Sequence, residues 1–284
     1  MALKRPEWIK AKAPGGKNYE DIRSMIGDRD LHTVCQSANC PNLGECWKAR
    51  TATFMILGNH CTRNCRFCDV AHGTPDPLDF DEPKRVADAV EFLGLKYAVV
   101  TSVTRDDLPD GGAEILAKTI EAVHALPTGC AIEVLIPDLL GDFDSLKVVV
   151  DAKPEVLNHN VETVERCYPF VRPQAVYRRS LDLLANVKKI DPHMRTKSGL
   201  MVGVGETWDE LMGTMRDLRS VDCDVLTVGQ YLAPSANHVP IDRYYIPEEF
   251  DRIKEEGLNM GFKFVESGAL VRSSYHAAQQ LEDN

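Results

Sequence analysis

An α/β fold with a parallel sheet is the architecture this sequence predicts, and three observations carry it. Between residues 53 and 228 six short apolar runs recur, bounded by turn residues and separated by stretches with helical apolar spacing. Strands that alternate with helices in this way form right-handed βαβ units around a parallel sheet. The length, 284 residues, suits one large α/β domain with appendages, and 44% apolar with 27% charged residues is ordinary for a globular protein. The alternation is missing before residue 53 and after about residue 240, so both ends read as extensions. Periodicity alone allows an open doubly wound sheet; six units are too few for a closed eight-stranded barrel.

The elements follow in order. Pro14-Gly15-Gly16 is a turn, and Asn18–Met25 a short helix leading to Leu31 and Val34. Residues 35–46 read as a loop, because Asn39, Pro41, Asn42 and Gly44 favour turns. Residues 53–57 (TFMIL), ending at Gly58, are the first buried strand. Pro83 suits the first turn of a helix that buries Val86, Val90 and Leu93 and stops at Gly94. Strands then fall at 97–103, 131–136, 156–161, within 197–205, and at 224–228. The intervening helices are 113–126, 144–152, 180–190 and one after Thr207, whose Thr207-x2-Glu210 is a capping box. Pro247 starts a last helix through Leu258, and residues 262–265 (FKFV) read as a seventh strand outside the main sheet.

The net charge is −10, which argues against general nucleic-acid binding. Charge is uneven. Residues 166–197 hold eight Lys or Arg against two acids, whereas residues 69–91 hold seven acids against two bases. A basic zone on an acidic chain is either a docking face for an acidic partner or a solvated helix face. No solenoid repeat or low-complexity tract is present. No apolar leader and no run long enough to span a membrane are seen, so a cytoplasmic protein without membrane partners is expected.

Nine cysteines concentrate the chemistry. Six form two triplets, Cys35-x4-Cys40-x5-Cys46 and Cys61-x3-Cys65-x2-Cys68. Three close thiolates are ligands for an iron–sulfur cluster or zinc. Each triplet leaves a fourth position unfilled, and a metal with an open position can bind substrate. Disulfides suit small secreted chains rather than one of this length. Zinc remains a rival, since Cys65 and Cys68 have knuckle spacing and His60 and His72 flank the second triplet. The second triplet follows the first strand, and in α/β barrels the C-terminal strand ends carry the chemistry. Cys130, Cys167 and Cys223 have no close cysteine neighbours and read as buried thiols.

With Phe67 before its last cysteine, the second triplet resembles the signature of the radical S-adenosylmethionine (SAM) enzymes. The first triplet, together with Arg272-Ser273-Ser274-Tyr275, narrows the likeness to the lipoyl synthase family, over essentially the whole chain. The resemblance implies a partial (β/α)6 TIM-type barrel over residues 53–240. Residues 1–52 would be an N-terminal extension with the auxiliary triplet, and residues 241–284 a C-terminal one with the Arg-Ser-Ser-Tyr segment. It implies two 4Fe–4S clusters and SAM as cofactors. Cys61, Cys65 and Cys68 would hold the SAM-cleaving cluster. Cys35, Cys40, Cys46 and Ser273 would hold an auxiliary cluster that donates sulfur; a serine oxygen is a weak ligand beside thiolates and suited to leaving. Arg272 would orient the segment.

For SAM itself the resemblance points to Thr101 and Ser102 at the end of the second strand and to Gly203 and Gly205 in a glycine-rich turn after the fifth. Glu133, Asn160 and Arg178, near strand ends, are candidates for ribose or carboxylate. The implied activity is insertion of two sulfurs at carbons 6 and 8 of an octanoyl chain on a lipoyl carrier domain. The alternatives are another sulfur-inserting or methylthio-transferring radical SAM enzyme, or a zinc- or cluster-stapled binding protein. Implied partners are octanoylated carriers (glycine cleavage H protein, 2-oxoacid dehydrogenase E2 subunits), a ferredoxin or flavodoxin electron donor, and an iron–sulfur cluster supply protein. The basic zone would dock the carrier.

Overall fold

A computed structural model describes residues 4–11, 13–29, 31–48 and 51–281. Met1–Leu3 and Lys12 of the Lys-rich start, and Ala49 and Arg50 ahead of the first expected strand, lie outside the described residues. Two compact units divide the chain: Lys12–Arg63 with Asp69–Leu157, and Met1–Ala11 with Asn64–Cys68 and Asn158–Asn284.

The first unit begins with helix α1 (Lys17–Asp28), strand β1 (His32–Thr33) and two short helices, α2 (Val34–Ser37) and α3 (Leu43–Lys48). Strand β2 (Thr53–Ile56), helix α4 (Glu82–Leu93), strand β3 (Tyr97–Ser102), helix α5 (Ala113–His124), strand β4 (Ala131–Leu135) and helix α6 (Phe143–Asp151) follow. Strands β2, β3 and β4 are parallel, with Thr53 opposite Val99 and Val99 opposite Glu133. All of β2 is buried, which explains its unbroken apolar run. Helix α4 buries Val86, Val90 and Leu93, and Gly94 closes it in the left-handed region at φ 62°.

One expectation fails here, and one strand has no counterpart in the sequence reading. The first cysteine triplet does not lie in a plain loop: Cys35 is in α2 and Cys46 in α3, with Cys40 between them. The overlooked signal is Thr33-x2-Gln36, in which the Thr33 side chain accepts from the Gln36 N–H and starts α2. Strand β1 runs antiparallel to β2, with Thr33 opposite Phe54. Two residues are too few for periodicity to show.

Strand β5 (Val156–Asn158), wholly buried, comes at the end of the first unit's chain and the start of the second's. The second unit holds helices α7 (Tyr168–Val171) and α8 (Tyr177–Ile190), strand β6 (Arg195–Val202) and helix α9 (Trp208–Ser220). Strand β7 (Val225–Gln230), helix α10 (Pro247–Asn259) and strand β8 (Phe264–Gly268) complete it. Strands β6, β7 and β8 are parallel. The seventh expected strand therefore begins two residues later and is part of the sheet, as the partner of β7. Helix α10 closes against it at Gly257, where a Cβ would come within 2.9 Å of Val265 Cγ2.

The basic run 166–197 is not one surface. Lys197 is fully buried, and Arg172 donates to the Asn160 and Val161 carbonyls from a buried position. Lys188 is paired with Asp224 at 2.6 Å. Exposed cations there include Arg178 and Lys189. The run mixes structural and surface charges because the strand β6 that ends it is interior.

The expected capping box of α9 is present: Thr207 Oγ1 accepts from the Glu210 N–H at 3.3 Å, and Glu210 accepts from the Thr207 N–H at 2.8 Å. Thr207→Ala removes one of these bonds and lowers stability by about 1 kcal/mol in a denaturant titration; an unchanged midpoint contradicts the assignment.

Candidate functional site

The loop that carries the second cysteine triplet starts from a strained turn. Leu57, just beyond β2, lies in the left-handed region at φ 69°, and Gly58 follows at φ 92°. For a leucine this costs roughly 1–2 kcal/mol. Two buried charges hold it: the Leu57 N–H donates to Glu82 Oε2 at 2.8 Å, and its carbonyl accepts from Arg105 Nη1 at 3.1 Å. Beyond the turn, Cys61 exchanges main-chain hydrogen bonds with the strand-like piece around His72, at 2.8 Å from Ala71 and 3.1 Å from Gly73. The Cys61 sulfur accepts from the backbone N–H groups of Arg63 at 3.4 Å and Thr104 at 3.3 Å.

Cys65 and Cys68 belong to the second unit, in the segment Asn64–Cys68. Several contacts pin this segment. The Asn64 N–H donates to Gln174 Oε1 at 2.6 Å, and the Arg66 N–H to the Val171 carbonyl at 2.8 Å. The Arg66 carbonyl accepts from the Val239 N–H at 3.0 Å, and a His238 ring nitrogen lies 3.2 Å from the Cys68 carbonyl. Phe67 packs on an apolar cluster of Val164, Cys167, Val171, Val204, Tyr231 and Val239. The aromatic residue inside the triplet is thus an anchor for the backbone between two of its cysteines.

The first triplet comes together within the first unit. Cys35 is buried, while Cys40 and Cys46 are half-buried. Burial pushes the Cys46 thiol up to about 12, with further push from Cys35 and Cys40. Burial likewise raises Cys35 to about 11, and Cys40 adds to it. Among the described residues no three His, Cys, Asp or Glu side chains close on a point as a ready site for a single ion.

The residues expected to touch SAM lie as follows. In the first unit Thr101 is buried and donates to the Leu135 carbonyl at 2.9 Å, and Ser102 Oγ is buried without a hydrogen-bond partner. Glu133 is wholly buried and accepts from the Tyr97 hydroxyl at 2.8 Å. In the second unit Asn160 donates to Glu162 at 3.1 Å, while its Oδ1 is buried without a partner. Arg178 is exposed and pairs with Asp182 one helical turn on. Gly203 sits at φ 92°, where a Cβ would collide with the Gln230 side chain and the Arg243 carbonyl; Gly205, at φ 107°, has open space over it.

Sequence reasoning missed what holds this turn. Glu206 accepts from the Gly203 N–H at 2.7 Å, the Val204 N–H at 2.9 Å and the Tyr245 hydroxyl at 2.8 Å. Arg166 donates to the Gly205 carbonyl at 2.7 Å and forks onto Glu210. The only visible signal was the acid after the glycines. Also in this unit, Ser273 and Ser274 are both half-buried, so burial favours neither. The segment before them lies hard against β7: a Cβ on Gly229 would overlap the Val271 carbonyl and come within 3.2 Å of Arg272 Nη1.

The Arg166 guanidinium holds the Glu210 carboxyl down to about 2. A depressed carboxyl stabilises the fold above its ordinary value near 4.5, and that contribution is lost as pH falls from there towards 2. In Glu210→Gln this share of the acid-dependent stability loss disappears, measured on metal-free protein by fluorescence-monitored unfolding. An identical pH slope in the variant contradicts the pairing.

Residues 55–218 match the radical SAM superfamily, and residues 1–40 match the N-terminal domain of lipoyl synthase of the radical SAM family. The chain is 58% identical over 279 residues to lipoyl synthase of Rubrobacter xylanophilus, covering 98% of this chain and 87% of that protein. It is 57% identical over 276 residues to lipoyl synthase of Koribacter versatilis, covering 97% and 91%. Among solved structures, methylornithine synthase superposes with a TM-score of 0.55 at 15% identity, over 89% of this chain and 83% of that one. SuiB of Streptococcus suis bound to S-adenosylmethionine superposes at 0.60 with 10% identity, over 90% and 58%. At these identities the likeness concerns the fold.

Proposed function

Because this chain belongs to the lipoyl synthase family of radical SAM enzymes, we propose that its two cysteine triplets hold two 4Fe–4S clusters with different tasks. The enzyme inserts two sulfur atoms, at carbons 6 and 8, into an octanoyl chain carried on a lipoyl carrier domain. A 4Fe–4S cluster and SAM are its family cofactors, and together they supply the one-electron cleavage that abstracts hydrogen from the chain. The reading assigned to the residues is that Cys61, Cys65 and Cys68 hold this cluster. Cys35, Cys40, Cys46 and Ser273 hold an auxiliary cluster as sulfur source. The single observation that supports the second assignment is that Cys35 and Cys46, in neighbouring short helices, lie close enough to Cys40 for it to act on both. Thiols must lose their protons to bind a metal, and a bound cation compensates the thiolate charge that burial disfavours.

In this reading residues 1–52 carry the auxiliary triplet, residues 53–240 the barrel and residues 241–284 the serine segment. Thr101, Ser102, Glu133, Asn160, Gly203 and Gly205 contact SAM in this reading. Ser102 Oγ and Asn160 Oδ1 are buried polar atoms without partners, and a bound ligand would satisfy them. The open space over Gly205 suits a flat base. Arg178 is kept as a carboxylate contact only by its position in sequence. Its partners in this reading are octanoylated H-protein and E2 carriers, an electron donor such as ferredoxin or flavodoxin, and an iron–sulfur cluster supply protein. Among the described residues no helix is long and apolar enough to cross a membrane.

Anaerobic purification should give about eight irons per chain with matching sulfide; a colourless zinc protein overturns both assignments. Ser273→Ala should still cleave SAM but lower lipoyl formation at least about tenfold. Full sulfur insertion in that variant removes Ser273 from the ligand set.

Carrier docking is assigned to the exposed part of the basic run. Reversing charge at Arg178, Arg179 and Lys189 should weaken carrier binding at low salt, with the difference vanishing at high salt. Unchanged affinity at low salt excludes this face.

A further inference from the structure

Cys61 is gripped by a buried charge network that neither the family assignment nor the cysteine pattern requires. Arg63, two residues on, is 5% exposed. Its Nε donates to Asp106 Oδ2 at 2.7 Å, and its Nη2 donates to Asp106 Oδ1 at 2.9 Å and to Asp138 Oδ1 at 2.6 Å. Asp138 is 1% exposed. Asp106 follows β3 and Asp138 follows β4, so one guanidinium ties the loops beyond two strands to the loop beyond β2. Thr62 reinforces the tie: its N–H and hydroxyl both donate to the Thr104 carbonyl at 3.0 Å, and its Oγ1 accepts from the Asp106 N–H at 3.1 Å.

The result is geometric. The two backbone N–H groups on the Cys61 sulfur belong to Arg63 itself and to Thr104, the residues the network immobilises. N–H donors on a cluster thiolate stabilise the more negative, reduced state and raise the reduction potential. We propose that Arg63, locked between Asp106 and Asp138, is a positioning residue that sets the reduction potential of the SAM-cleaving cluster by aiming the Arg63 and Thr104 N–H groups at the Cys61 sulfur. The role needs the planar fork, which reaches two carboxylates from one side chain; an ammonium cannot reproduce it.

This inference rests on the reading of Cys61 as a cluster ligand, and the experiment separates the two. The background is a Cys35→Ala, Cys40→Ala, Cys46→Ala protein, in which one cluster reports. Midpoint potentials are read by electron paramagnetic resonance during a redox titration, with iron counts and thermal unfolding alongside. Arg63→Lys and Arg63→Gln should both keep about four irons. Both should lower the reduced-to-oxidised ratio at fixed poise by about tenfold, which for a one-electron couple is about 59 mV. Asp106→Asn, at the partly exposed partner, should shift it the same way by less, and covers the case in which the Arg63 variants fold poorly. A wild-type potential in Arg63→Lys, or in both Arg63→Gln and Asp106→Asn, overturns the inference while leaving the ligand assignment intact. If Cys61→Ala retains the cluster and its spectrum, the ligand assignment itself is what fails.

Discussion

The left-handed leucine at the end of β2 is the constraint on which the cysteine loop depends. A strand end must reverse before a loop can present thiolates, and the reversal puts Leu57 where a branched side chain is disfavoured. Its N–H and carbonyl are both satisfied by buried charged groups, Glu82 and Arg105, and hydrogen bonds to charged groups are worth about 1.5–3 kcal/mol each. Neighbouring glycine makes room: a Cβ on Gly112 would overlap the Leu57 side chain. Helix α4, the loop after β3 and the start of α5 thus each contribute one contact to a single residue. The ordinary-looking acid in the first turn of α4 is an acceptor for the turn rather than a helix-dipole partner alone.

Buried charge is used the same way elsewhere. Glu206 binds the N–H groups of the glycine turn, Arg172 the carbonyls after β5, and Arg63 the loops beyond two strands. Irregular backbone at strand ends leaves donors and acceptors that no ladder satisfies, and water cannot reach them. A charged side chain with several donors or acceptors answers several of these groups at once. Rigidity at these strand ends therefore comes from ionic side chains, and Arg63 is itself compensated by Asp106 and Asp138.

The two cysteine triplets are held by different physics. The first depends on two short helices and on burial, which raises the Cys35 and Cys46 thiols. The second is held by its backbone: N–H groups on Cys61, and main-chain bonds with the Phe67 anchor around Cys65 and Cys68. In the proposed assignment the cluster kept through many turnovers would profit from the rigid frame, and the sulfur-donating one from ligands that can let go, among which a serine oxygen would be the weakest.

Much was legible in the sequence. Buried parallel strands are apolar throughout, helices repeat every 3.6 residues, and Thr207-x2-Glu210 and Gly94 mark helix ends, so nearly every βα unit could be placed within a few residues. The six cysteines and the Arg-Ser-Ser-Tyr segment carried the family, because ligand spacing is a local property of the chain. What failed was what depends on distant partners. The strand after residue 262 joined the sheet because β7 offered it an edge, and the run 166–197 broke into interior and surface charge because β6 is buried. Cys35 and Cys46 took helical positions that turn-forming neighbours concealed. Residue type and spacing determined which atoms can bind metal. Only the tertiary structure decided which charges are buried beside them, since burial is set by residues far away in the chain, as Asp106 and Asp138 are from Arg63.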